Sequence, residues 1–145
     1  LIHSLLLAIA RNLQAVASRK QPSLHIAEQV FEIINARYQY NINFATLARK
    51  LYISPSQLTK NFTKQYGCTP QRYLADLRIQ KAKALLLSDI PIKEIAELTG
   101  FTDQMYFSRV FHKKLGLSPS EYRNQNYDSS LIAKEDNTIY VKRKM

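Results

Sequence analysis

The chain carries one pattern twice. Leu47 and Ala48 return 48 positions later as Ile95 and Ala96. Phe62, Gly67, Pro70 and Tyr73 return 49 positions later as Phe111, Gly116, Pro119 and Tyr122, and Leu58 returns as Phe107. One extra residue enters between Ile53/Phe101 and Leu58/Phe107. A repeat of this kind means one supersecondary unit built twice. Each copy reads as a short helix, a tight turn, a second helix, a Gly stop, and a Pro-opened third helix.

Local signals place the elements. In the first copy a short helix near 44–51 buries Leu47, Ala48 and Leu51. Ser54 then caps a second helix whose first residue is Pro55, and Gly67 ends it. Thr69 and Pro70 open a longer helix of about 18 residues, roughly 27 Å. It carries Arg72, Arg78, Lys81 and Lys83 against Asp76. In the second copy Ile92, Ile95, Ala96 and Leu98 mark a short helix, and Gly100 makes the turn. Thr102 or Asp103 caps the next helix, which ends at Gly116. Ser118 and Pro119 open a last turn near Tyr122 and Arg123.

Upstream, Ile26, Val30, Ile33 and Ile34 recur at helical spacing. Ile2, Leu6, Ile9, Leu13 and Val16 form a short heptad seam on a helix over residues 1–19. That seam suits either a dimerisation or linker helix, or a helix packed on a neighbouring domain. "SRKQPS" reads as a linker, and "NYDSSLIAKEDNTIYVKRKM" as a mostly irregular tail. The expected organisation is therefore a linker or dimerisation helix over 1–21, a paired helical domain over 22–125, and the tail over 126–145. The opening "LIHSLLLAIARNL" lacks Met and reads as a piece of a longer or processed product.

The second helix of each copy has an unusual outer face. At 100° per residue, Phe107, Val110, Phe111 and Lys114 share one side. Gln104, Met105, Ser108, Arg109 and His112 share the other. In the first copy Leu58, Phe62 and Tyr66 face inward, and Ser56, Gln57, Lys60, Asn61 and Lys64 face out. A solvated face normally mixes in Glu or Asp for i,i+4 pairs. These faces instead hold side chains that suit base edges in a major groove: Arg or Lys for guanine, Gln or Asn for adenine.

Charge agrees. The 145 residues carry 21 Lys plus Arg against 11 Asp plus Glu, a formal net charge of +10. Such an excess suits a polyanion. A spacer helix of this length would let two recognition helices enter successive major grooves, about 34 Å apart, and read half-sites in direct order.

At these residues the sequence resembles the DNA-binding domain of the AraC/XylS family of bacterial transcription regulators. The resemblance covers about 24–125 and rests above all on "DQMYFSRVFHKKLGLSPSEYR", with "LYISPSQLTKNFTKQYG" and "RIQKAKALLL" in the first copy. It implies an all-α, seven-helix domain of two helix-turn-helix subdomains joined by a linker helix, here preceded by one further helix. It implies sequence-specific binding to promoter DNA, mostly as an activator contacting RNA polymerase, in the cytoplasm and at the nucleoid of a bacterium.

The family alignment places base reading at Ser56, Thr59 and Lys60, and at Gln104, Met105, Ser108 and Arg109; the helical wheel adds Gln57. Lys64, His112 and Lys113 are expected at phosphates, which position a protein without reading sequence. Asp103 suits an N-cap or a cytosine amino group. Family members often add a sensory domain that binds a small effector and dimerises. Such a domain lies outside this sequence, and residues 1–19 resemble the end of that region. His112 stands where Lys is more usual, and the tail has no counterpart.

Other classes fit less well. Cys68 is the sole cysteine, so no intrachain disulfide or cysteine metal cluster can form. His3, His25 and His112 lie far apart, so no metal or cofactor is expected. There is no Gly-rich phosphate loop, paired catalytic carboxylates or Cys/His nucleophile, so no enzyme is expected. The first apolar run is too short to span a membrane, and no membrane partner is expected. The competing reading is a basic, all-helical protein-interaction module.

Overall fold

A computed structural model describes residues 2–17 and 22–126, with side chains for 2–10 and 22–126. Seven helices run in the order α1 (Ile2–Ala17), α2 (Pro22–Arg37), α3 (Phe44–Lys50), α4 (Pro55–Tyr66), α5 (Pro70–Leu86), α6 (Ile92–Leu98) and α7 (Gln104–Leu115). An eighth, α8, covers 119–126. The last turn expected after Pro119 is thus a helix of two turns. Leu13 and Val16 of the seam lie in α1, but their side chains are outside the described residues, as are residues 18–21 and the tail beyond 126. Of the linker expected over 18–23, Pro22 and Ser23 instead open α2.

The chain divides into two compact units. The first comprises residues up to Arg37 together with Ile42–Leu74; the second comprises Tyr38–Asn41 together with residues from Ala75 on. The helix α5 runs through the boundary at Leu74/Ala75.

In the first unit, α2 contributes Ala27, Val30 and Ile34 to the core, α3 contributes Ala48, and α4 contributes Leu58 and Phe62. Leu47 and Leu51, expected inside, are only half-buried. Aromatic rings join the elements: Phe31 stacks on Tyr66 at 4.6 Å, and Phe62 meets the edge of Tyr73 at 5.7 Å. The Tyr73 hydroxyl donates to the Asn35 side-chain oxygen at 3.2 Å.

The second unit is built the same way. Ile79, Ala82 and Leu86 of α5, Ile95 and Ala96 of α6, Phe101, and Phe107 and Phe111 of α7 form one buried cluster. Phe111 meets Tyr122 edge-on at 5.6 Å, which repeats the Phe62–Tyr73 contact of the first unit.

Backbone bonds repeat with the residues. Tyr52 and Ile53 donate to the carbonyls of Arg49 and Ala48, as Gly100 and Phe101 donate to Glu97 and Ala96. Gly67 donates to Thr63 at 2.9 Å and Gly116 to His112 at 2.8 Å, both in the left-handed region. Tyr73 donates to Thr69 and Tyr122 to Ser118.

The turn between first and second helix shows why one copy needs glycine and the other does not. Tyr52 and Gly100 occupy the same left-handed position, at φ 58° and 87°. The Tyr52 side chain is 96% exposed, so its strain is only that of the backbone. A Cβ on Gly100 would sit 2.6 Å from the Tyr38 carbonyl oxygen and 2.8 Å from Arg78 Nε, where nothing fits.

Arg78 explains that crowding. Its Nε donates to the Tyr38 carbonyl at 2.8 Å and its Nη2 to the Tyr40 carbonyl at 3.0 Å. Burial pushes its pKa down, opposed by the nearby Tyr106. Lys81 sits over the Tyr38 ring and Lys83 over the Tyr122 ring. Lys114, on the inward side of α7, pairs with Asp76 of α5. The basic side chains of α5 therefore largely organise the second unit.

The second unit also closes with a capping box at α8. The Ser118 amide donates to the Glu121 carboxylate at 2.7 Å, and the Glu121 amide donates to the Ser118 hydroxyl at 3.2 Å. The bond from the Ser118 amide is the main reason the Glu121 carboxyl is held below the usual carboxylate range. In the first unit the Thr69 hydroxyl accepts from Arg72 N at 3.3 Å, but Arg72 stands where Glu would return the bond.

Candidate nucleic-acid interface

Each unit presents the second helix of its helix-turn-helix as an outward face. Ser54, in extended conformation, accepts from the Gln57 amide at 3.1 Å and starts α4 with Pro55 at its first position. Asp103, not Thr102, does the same for α7, accepting from the Tyr106 amide at 2.7 Å. The capping role expected for Asp103 is thus present. Behind the faces, Leu58 and Phe62 anchor α4, and Phe107 and Phe111 anchor α7.

On α4 an open concavity is lined by Pro55, Ser56, Thr59, Lys60, Thr63 and Lys64. Ser56, Thr59, Lys60 and Lys64 are the residues expected there. Gln57 is exposed but lies outside that lining; its amide donates to the Asn61 oxygen at 2.7 Å. Asn61, expected to face out, is buried. The reason is rotational: Asn61 lies beside Phe62 on the edge of the buried stripe, and Gln57, one turn earlier, satisfies its amide oxygen.

Thr63 was missed, although the repeat could have found it. At an offset of 49, Gln104, Met105, Ser108, Arg109 and His112 map onto Pro55, Ser56, Thr59, Lys60 and Thr63. Gln57 maps onto Tyr106, whose ring leans toward Phe101 with centroids 6.1 Å apart. The wheel alone could not separate Gln57 from Thr63, because both fall on the outer half of the helix.

On α7 a second concavity is lined by Lys93 and Glu97 of α6, by Thr102 and Asp103, and by Gln104, Met105 and Arg109. The structure therefore brings Gln104, Met105 and Arg109 together. Ser108 is half-buried, like its counterpart Thr59. His112 and Lys113 are exposed in the last turn of α7, where Thr63 and Lys64 stand on α4. Met105 is 78% exposed, so its apolar end is free for contact with a group such as a thymine methyl.

Among the described residues no group of His, Cys, Asp or Glu could hold a metal ion. No described helix is long and apolar enough to cross a membrane.

Two helix-turn-helix units, each with a capped and aromatic-anchored second helix, define a double helix-turn-helix protein. A family model described as a helix-turn-helix domain matches residues 47–125. The chain is 36% identical over 118 residues to the arabinose operon regulatory protein of Escherichia coli strain K12, a match covering 79% of this chain and 40% of that protein. It superposes on the C-terminal domain of AraT, a response regulator from Geobacillus stearothermophilus, with a TM-score of 0.66 and 32% identity, covering 69% of this chain and 84% of that one. It also superposes on the DNA-binding domain of AdpA, a global transcriptional factor in complex with a target DNA. That match has a TM-score of 0.62 and 29% identity, and covers 69% of this chain and 90% of that one. The chain belongs to the AraC family of helix-turn-helix proteins. It spans about two-fifths of the length of the curated relatives it matches.

Proposed function

We propose that this chain is the DNA-binding part of a bacterial transcription regulator, an activator, that inserts α4 and α7 into successive major grooves of promoter DNA. The observation that carries this reading is the repeated outer face, displayed by the same capped, Phe-anchored helix in both units. In this reading Ser56, Thr59 and Lys60, with Gln57 at their edge, read one half-site. Gln104, Met105, Ser108 and Arg109 read the other. Lys64, His112 and Lys113 meet phosphates. Residues 22–125 form the binding domain and 1–21 its approach. Contact with RNA polymerase, control by an effector held in a region beyond this sequence, and a place at the bacterial nucleoid belong to the same reading, on the family resemblance.

Salt titration tests it. Affinity for a selected duplex should fall linearly on a log–log plot, and Lys64→Ala and Lys113→Ala should each flatten the slope by about one. A slope near zero would favour a protein-interaction module instead.

The helix α1 is the proposed route to a homodimer. Ile2, Leu6 and Ile9 of its seam are exposed, and apolar seams of this spacing pair between helices. Deleting residues 1–19 should leave DNA binding intact while weakening self-association in sedimentation. Loss of folding on deletion would place the seam in the core.

A further inference from the structure

The concavity on α7 differs from its counterpart on α4 in being bordered by a second helix, which brings Lys93 and Glu97 to it. Glu97 reaches it from α6, and no carboxylate lines the concavity on α4. The outward position of Glu97 follows from its helix, since its neighbours Ile95 and Ala96 are fully buried. The repeat makes the contrast sharper. Glu97 maps onto Arg49, and the register is confirmed by matching backbone bonds, Tyr52 to Arg49 and Gly100 to Glu97, both 3.1 Å. Over the same helix Lys50 is replaced by Leu98. The acid is thus at a place where the first unit carries a cation.

The other carboxylate in this concavity, Asp103, caps α7. Glu97 has no such backbone role among the described residues. A carboxylate not engaged as a cap, in a groove for a polyanion, weakens general attraction to phosphate even with Lys93 and Arg109 lining the same concavity. What it adds is selectivity, because an ionised carboxylate only accepts hydrogen bonds. It fits the amino group of cytosine or adenine, and it is repelled by the acceptor edges of guanine and by thymine O4.

We propose that Glu97 is a specificity-determining residue of the second unit, accepting from a base amino group beside the position read by Arg109. This rests on the reading of α7 as a base-reading helix. The two units then divide the task. The first binds through an acid-free basic face, whereas the second sacrifices some attraction for discrimination.

The test compares the whole chain with Glu97→Gln and Arg109→Ala on a selected duplex and a random duplex. Circular dichroism confirms that each variant is folded. Glu97→Gln should bind random DNA more tightly and reduce the ratio of selected to random affinity about tenfold. Sites reselected with Glu97→Gln should relax at one base pair. Equal changes on both duplexes, or no change, would overturn the proposal. If Arg109→Ala alters the ratio and Glu97→Gln does not, the role of Glu97 fails while the reading of α7 stands. If neither alters it, both fail.

Discussion

Phe111→Ala is expected to cost the protein about 3–5 kcal/mol, the range for removing a fully buried phenyl ring. The ring is fully buried and meets Phe107 and Tyr122 edge-on, each at 5.6 Å. Such aromatic pairs add to what burial alone contributes. The neighbours Ile95, Ala96 and Leu86 are also fully buried, so collapse into the space left behind is restricted. Against a total stability of about 5–15 kcal/mol for a domain, this is a large fraction. Urea unfolding followed by circular dichroism measures it. A loss below about 1 kcal/mol would mean that the second unit can repack around an alanine, contrary to the cavity cost expected here.

Arg109→Ala is expected to act differently. Arg109 is exposed on α7 beside Gln104 and Met105, so stability should change by less than about 0.5 kcal/mol. Discrimination between the selected site and random DNA should fall by about 1–3 kcal/mol, the worth of one bidentate contact to a base. Competition binding at fixed salt gives that ratio. A loss of equal size on both duplexes would assign Arg109 to phosphate instead. The pair of variants separates the two sides of one helix. Phe111 governs whether the helix is present, and Arg109 governs what it reads.

Much of the fold was legible because the signals are local. Ser54-Pro55 and Asp103 begin helices, and Gly67 and Gly116 end them in the left-handed conformation. The repeat then let each copy check the other. The candidate site was legible to the same depth. Ser56, Thr59 and Lys60 line one concavity, and Gln104, Met105 and Arg109 line the other. The misreadings fall at the margins of the helical stripes. Asn61, expected outward, is turned inward and held by Gln57, and Thr63, which the wheel left unnamed, lines the concavity on α4. A wheel assigns such marginal positions only to within a residue, since neighbours differ by 100°.

By itself the sequence determined the duplicated unit, its caps and stops, its aromatic anchors and the basic balance. All of these depend on residues within one or two turns of each other, or on an offset that can be counted. Only the tertiary structure decided where long side chains go. Arg78 reads as one more cation on a basic helix, yet it is bonded to the carbonyls of Tyr38 and Tyr40, about forty positions earlier. Lys114 reads only as a lysine on the same side of its helix as Phe107 and Phe111, and the fold supplies its partner, Asp76. Gly100 reads as a turn glycine, while its strictest requirement is the Tyr38 carbonyl oxygen, 2.6 Å from where a Cβ would stand. Glu97 gains its place beside Arg109 only because α6 borders the face of α7. Periodicity tells which way a side chain leaves its helix. It does not tell what stands there, because that partner is brought in by the fold from a distant part of the chain.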